Sequence, residues 1–175
     1  MKRKLVILLI AWILFLLQTA VFGRIEFLAA KPNLLLILTV AIGFMQGKSE
    51  GLMTGFFCGL MIDLFYGPIL GFYALLYLCA GYFSGRFSQI YFDEDVKIPL
   101  ILTAVTDIAF NIAVYVVGFL LRGRVGFFGY LKGIILPEVV CTLLFTIVLY
   151  RLFYKINYSM VEKEKKGRQS LWIKG

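Results

Sequence analysis

Three carboxylates stand in otherwise apolar stretches of this chain: Asp63, Asp107 and Glu138. Acids in greasy surroundings are the raw material of acid–base catalysis and of intramembrane relays. Catalysis by a carboxylate pair needs two acids close together in unlike environments, and the spacing of these three does not by itself bring them together. The chain has no histidine, and no G-x-S-x-G, P-loop or H-E-x-x-H pattern. No catalytic residue is assigned, and the reading is non-enzymatic. Cys58, Cys79 and Cys141 fall in apolar runs without C-x-x-C spacing. They read as small buried hydrophobes rather than zinc ligands or a disulfide framework. Asp93, Glu94 and Asp95 are adjacent, point in different directions and lack further carboxylates at calcium-loop spacing, so they read as a solvated loop. No metal and no cofactor is expected.

The carboxylate at 63 closes a pattern. Gly51, Gly55 and Gly59 recur every four residues, and the next step of four is Asp63. Residues four apart share a helix face, so the glycines and the acid form one stripe. A stripe without side chains lets another backbone come close, which is how helices associate in lipid. The stripe is expected to face inward for internal or partner packing, carrying Asp63 with it, or else to leave Asp63 at the water boundary as a helix-end residue. A second polar stripe, Thr103, Asp107 and Asn111, again spaced by four, lies in a long apolar run. Such groups must bond to neighbours or line a cavity.

The elements that would carry these residues follow from composition. Of 175 residues, 61% are hydrophobic and only 16% charged, where a soluble domain has about half and about a quarter. The fold class is therefore an all-α integral membrane protein. The expected spans are 5–22, 32–46, 51–65, 71–84, 98–121 and 133–152, giving a six-helix transmembrane domain over 1–158. The first run is too long for a signal peptide and lacks a clear cleavage pattern, so it reads as a retained span. Pro32 suits the first turn of the second span, Gly67-Pro68 and Gly71 mark a turn, and Pro99 suits the first turn of the fifth span. Pro137 either kinks the last span or starts it, the second being preferred because Glu138 then sits in a first turn, where the helix dipole favours an acid. From Arg151 the chain turns basic, with a cytoplasmic tail over 159–175 that is expected to be flexible beyond Tyr158.

Six spans put both ends on one side. If that side is the cytoplasm, it holds thirteen of the 18 basic residues; the other five are Arg24, Lys31, Arg122, Arg124 and Lys132. That bias gives an N-in, C-in orientation. The net charge of +8 is read as this bias and as contact with anionic membrane lipid, with no nucleic-acid binding.

The order of features resembles one family. Pro32-Asn33-Leu34-Leu35-Leu36-Ile37-Leu38 is followed by the glycine-spaced run that ends Gly59-Leu60-Met61-Ile62-Asp63-Leu64, then by Gly67-Pro68 and Leu70-Gly71, and late by Leu136-Pro137-Glu138-Val139-Val140. This is similar to the rod shape-determining protein MreD family over nearly the whole chain. Asn33 departs from it, since an acid is common there. The resemblance implies a non-enzymatic scaffold of the cell-wall elongation complex in the bacterial cytoplasmic (inner) membrane, maintaining rod shape. It implies binding to MreC, and through it a link to the MreB cytoskeleton, to RodA and to a penicillin-binding transpeptidase. It also implies a fold similar to the substrate-binding component of energy-coupling-factor vitamin transporters, which supplies the alternative function. Gly51, Gly55, Gly59 and Gly71, with Asp63, Asp107, Asn111 and Glu138, are the partner or pocket candidates. Self-association into a homo-oligomer is compatible with this reading.

Overall fold

The computed structural model describes residues 2–21, 31–67, 69–88, 97–118 and 127–172. Among these the chain is all-helical. Helix α1 (Lys2–Leu16) runs on into a π-helical turn, Leu17–Val21. Then come α2 (Leu34–Gln46), α3 (Lys48–Tyr66), α4 (Phe72–Phe87) and α5 (Lys97–Gly118). A short α6 (Phe127–Tyr130), a π-helical turn (Leu131–Ile135) and α7 (Leu136–Trp172) complete the order.

The centre of the molecule is α2. Every residue from Leu34 to Phe44 is buried, and an all-round apolar helix is stable only when neighbours cover it on every side. Helices α1, α3, α4, α5 and α7 all pack on it. Its amino end needs partners for orphan N–H groups. Asn33 caps it, accepting from Leu36 N–H at 3.2 Å, and Gln18 Oε1 accepts from Leu35 N–H at 3.3 Å. Gln18, in the π-helical turn after α1, is thus tied to α2.

Away from this centre the usual arrangement is inverted. Leu9, Ile13, Ile101, Val105, Leu144 and Val148 are exposed, while Thr103, Asp107, Asn111, Thr142 and Thr146 are buried. Helices that turn apolar side chains outward and polar ones inward suit a lipid environment. Three helical stretches are long and apolar enough to cross a membrane: Arg3–Ala20, Lys97–Gly118 and Phe127–Ser159. Helix α2, at 13 residues, is apolar but shorter.

One expectation about the last helix holds and one changes. Pro137 lies in the first turn of α7 with Glu138 beside it, as preferred, although the helix follows directly on a π-helical turn. A proline ring collides with the carbonyl four residues back, here that of Gly133. The wider π turn, 131–135, relieves that collision and lets the helical rod continue. Residues 159–172, expected as a flexible tail, are helical, because α7 continues to Trp172. The loop acids Asp93, Glu94 and Asp95, along with Pro68, Arg24, Arg122 and Arg124, lie outside the described residues.

Candidate functional site

The glycine stripe has a definite partner. Helices α3 and α4 run antiparallel, and each glycine of α3 meets a fixed place on α4. A methyl group added at Gly51 would fall 2.5 Å from the Gly81 carbonyl oxygen; one at Gly55 would strike the Tyr77 carbonyl; one at Gly59 would fall 2.5 Å from Ala74 Cα. Real Cβ atoms do not come that close to backbone. Gly85 meets Lys48 in the same way at the far end. Four residues forward on α3 match about four residues backward on α4, so the two backbones touch along their whole shared length. The stripe is therefore occupied within the chain. Its counterpart, Gly81 and Gly85, was present in the sequence at the same spacing.

Asp63 ends this seam. Its Oδ1 accepts from Tyr73 N–H at 3.0 Å and its Oδ2 from Ala74 N–H at 2.8 Å. These are first-turn N–H groups of α4, which have no intrahelical partners. The carboxylate thus caps α4 from the end of α3, where the helix dipole favours negative charge. Gly71 supplies the turn: its φ of +96° lies in the left-handed region, and nothing would crowd a side chain there. Its role is backbone conformation.

The remaining candidates meet elsewhere. The stripe Thr103, Asp107 and Asn111 of α5 faces a matching stripe on α7, Glu138, Thr142 and Thr146. Many of these polar groups are satisfied locally. Thr103 donates to the Pro99 carbonyl at 2.8 Å, Asn111 to the Asp107 carbonyl at 3.1 Å, and Thr146 to the Thr142 carbonyl at 2.7 Å. From α2, Asn33 N–H donates to Thr142 Oγ1 at 3.2 Å; from α4, the Tyr77 hydroxyl donates to Asn33 Oδ1 at 2.5 Å. Four helices thus converge on one polar cluster. Asn111 is the polar neighbour of the half-buried Glu138 carboxyl, and Asp107 lies within electrostatic reach of it. Thr142 is the polar neighbour of Asp107. Neither oxygen of Asp107 completes a hydrogen bond with good geometry, although the side chain is 0% exposed.

The structure therefore divides the candidate residues into two groups. Gly51, Gly55, Gly59, Asp63 and Gly71 build the α3–α4 hairpin. Asp107, Asn111 and Glu138 come together, joined by Asn33, Tyr77 and Thr142, which sequence reasoning did not single out as site residues. Thr142 and Thr146 continue from Glu138 in steps of four, a signal that was there to be read. Asn33 has only its place before an apolar helix, and Tyr77 only its place among other aromatics. Among the described residues no group of three or more acids, cysteines or histidines could hold a metal ion.

The described helices thus hold a buried polar junction between outward apolar faces, with an aspartate-capped glycine hairpin beside it. A family model described as rod shape-determining protein MreD matches residues 1–160. The chain belongs to the MreD family. No curated protein and no solved structure gives a significant match to it. Membership carries a rod-shape-determining role, and MreD proteins are structural shape-determining proteins of the membrane, not known enzymes. In MreD terms the matched region holds both the hairpin and the polar junction, since Gly51 to Thr146 lie within it.

Proposed function

We propose that the chain is a non-enzymatic scaffold of the cell-wall elongation complex, set in the bacterial cytoplasmic membrane. It binds the single-span protein MreC and, through it, couples peptidoglycan synthesis by RodA and a penicillin-binding transpeptidase to the MreB cytoskeleton. The observation that carries this reading is the family match over residues 1–160. The architecture supports it: the close-packing seam is spent on holding the α3–α4 hairpin together, which suits a scaffold. In this reading the chain crosses the membrane six times, with both ends in the cytoplasm. The same body then serves as a six-helix domain over 1–158 followed by a basic cytoplasmic segment over 159–175. Partner contacts fall on outward faces, since Gly51, Gly55 and Gly59 already face α4.

The experiment is depletion in the native host with pull-down of the tagged chain. Rounded cells on depletion and MreC in the pull-down are expected. Cells that stay rod-shaped, with no MreC recovered, would falsify the scaffold reading.

A second reading draws on one specific feature, the unpartnered Asp107 inside the bundle. A substrate-binding membrane component of an energy-coupling-factor vitamin transporter would use such a polar interior to hold its ligand. That reading expects a stoichiometric small molecule and an ATPase module in the purified material.

A further inference from the structure

Asp107 has 0% exposure, and neither carboxylate oxygen completes a hydrogen bond with good geometry, Thr142 being its polar neighbour. An ionised carboxylate so placed needs a compensating charge. Among the described residues, the groups around it supply none. Tyr77 comes from α4, Asn111 from its own helix, and Glu138 and Thr142 from α7, with Asn33 of α2 bonded to both Tyr77 and Thr142; these are neutral or acidic. Lys132, on the helical rod that carries Glu138, is turned out to the surface.

Aromatic rings complete the surroundings. The hydroxyls of Tyr73, Tyr77 and Tyr130 lie within electrostatic reach of Glu138. Phe110 stands 5.2 Å from the Tyr77 ring and 5.8 Å from the Tyr73 ring, centroid to centroid. Carboxylates and ring faces both attract cations, and ring faces favour organic ones. Two acids do not make a divalent-metal cage, whose ions take six or more oxygen ligands.

We propose that this junction binds a primary ammonium group. Asp107 and Glu138 share its charge, Tyr73, Tyr77 and Phe110 wall it, and Asn111 and Thr142 hold the carboxyls in place. Entry is from the half-exposed side of Glu138. The ammonium group belongs either to a free amine or to a lysine side chain on a partner membrane helix; the chemistry at Asp107 is the same. This proposal stands independently of the scaffold reading, since it concerns what the junction holds rather than what the cell uses it for.

The test is thermal unfolding of the purified full-length protein in nanodiscs, with n-butylammonium chloride against sodium chloride at equal ionic strength. Butylammonium at roughly ten times its half-saturating concentration raises the melting temperature by about 3 °C, and Asp107→Asn abolishes that rise. Glu138→Gln raises the half-saturating concentration roughly tenfold, the effect of removing one charged contact. A wild type indifferent to butylammonium overturns the proposal, and Asp107 is then a neutral buried acid. Equal stabilisation by sodium overturns it as well. If Asp107→Asn does not fold, Glu138→Gln decides on the same terms: an unchanged response refutes the site. Carbodiimide coupling in native membranes, which joins a carboxylate to an amine, then separates the sources. A peptide joined to Glu138 through lysine assigns a partner chain. A small amine that co-purifies with wild type and is lost from Glu138→Gln assigns a free ligand.

Discussion

A single methyl group is enough to test the α3–α4 seam. Gly59→Ala places a Cβ 2.5 Å from Ala74 Cα, a backbone atom that cannot swing aside. The helices must separate or bend, at a cost of about 1–3 kcal/mol, read as a lower melting temperature in detergent. Gly118→Ala is the matched control: nothing lies within 4 Å of its Cβ, and the change there should be small. Asp63 gives a graded series. Asp63→Asn keeps one acceptor for the α4 N–H groups, whereas Asp63→Leu keeps none. The leucine variant should lose about 1–2 kcal/mol, typical of a lost cap, and the asparagine variant less, by thermal melts of both. Equal losses would mean that the two hydrogen bonds to Tyr73 and Ala74 N–H are not what holds the position. An assembly defect in Asp63→Leu would then be a consequence of a loosened hairpin, because the carboxylate faces its own chain.

Between helices, the polar junction is where one substitution reaches several elements. Thr142→Val keeps the shape but removes the acceptor for Asn33 N–H, leaving a buried donor at the start of α2. That should cost about 1–3 kcal/mol and increase hydrogen exchange at Leu34 to Leu36, the first turn of the central helix. Most of the helical elements could be read from the sequence, because length and apolarity alone mark a helix in lipid. The facing of α3 was equally legible, since glycine spacing encodes close approach without naming the other helix. The partner of Asp63 was not: a carboxylate that caps the next helix across a turn looks, in one dimension, like any acid at a helix end. The meeting of Asp107 with Glu138 was hidden for a similar reason. They are 31 positions apart, and only the packing of α5 and α7 around α2 brings them together. The first-turn place of Pro137 and Glu138 was legible, but the π turn before them was not, because it leaves no composition signal.

For the molecule as a whole, the expectation of six crossings rests on the apolar runs, and their N-in, C-in orientation on the distribution of charge. It is checked by reporter fusions or single-cysteine labelling at Lys4 and at Tyr158. Both should be inaccessible to a membrane-impermeant thiol reagent in intact cells and accessible after permeabilisation. Labelling of either site in intact cells would overturn the orientation. The three long apolar stretches are long enough to span a membrane, while α2 is about 20 Å long, so in a six-span body it must be extended by the residues at its ends or by a locally thinner bilayer. Its complete burial explains why it tolerates this: a helix that touches only protein need not match the hydrocarbon at all.

Helix α7 matches it least. At 37 residues it measures about 55 Å, against a hydrocarbon core of about 30 Å. In the six-span body proposed above, even an upright α7 leaves about 25 Å of continuous rod clear of the lipid tails. A molecule that grips this rod would be held at a set height and a set angle, both dictated by the rotation of the polar junction at its other end. Deleting two residues from 159–172 would turn the grip by about 200°, to nearly the opposite side, while deleting seven would nearly restore its bearing. The protein's reach into the water would then be governed by screw phase as well as by length.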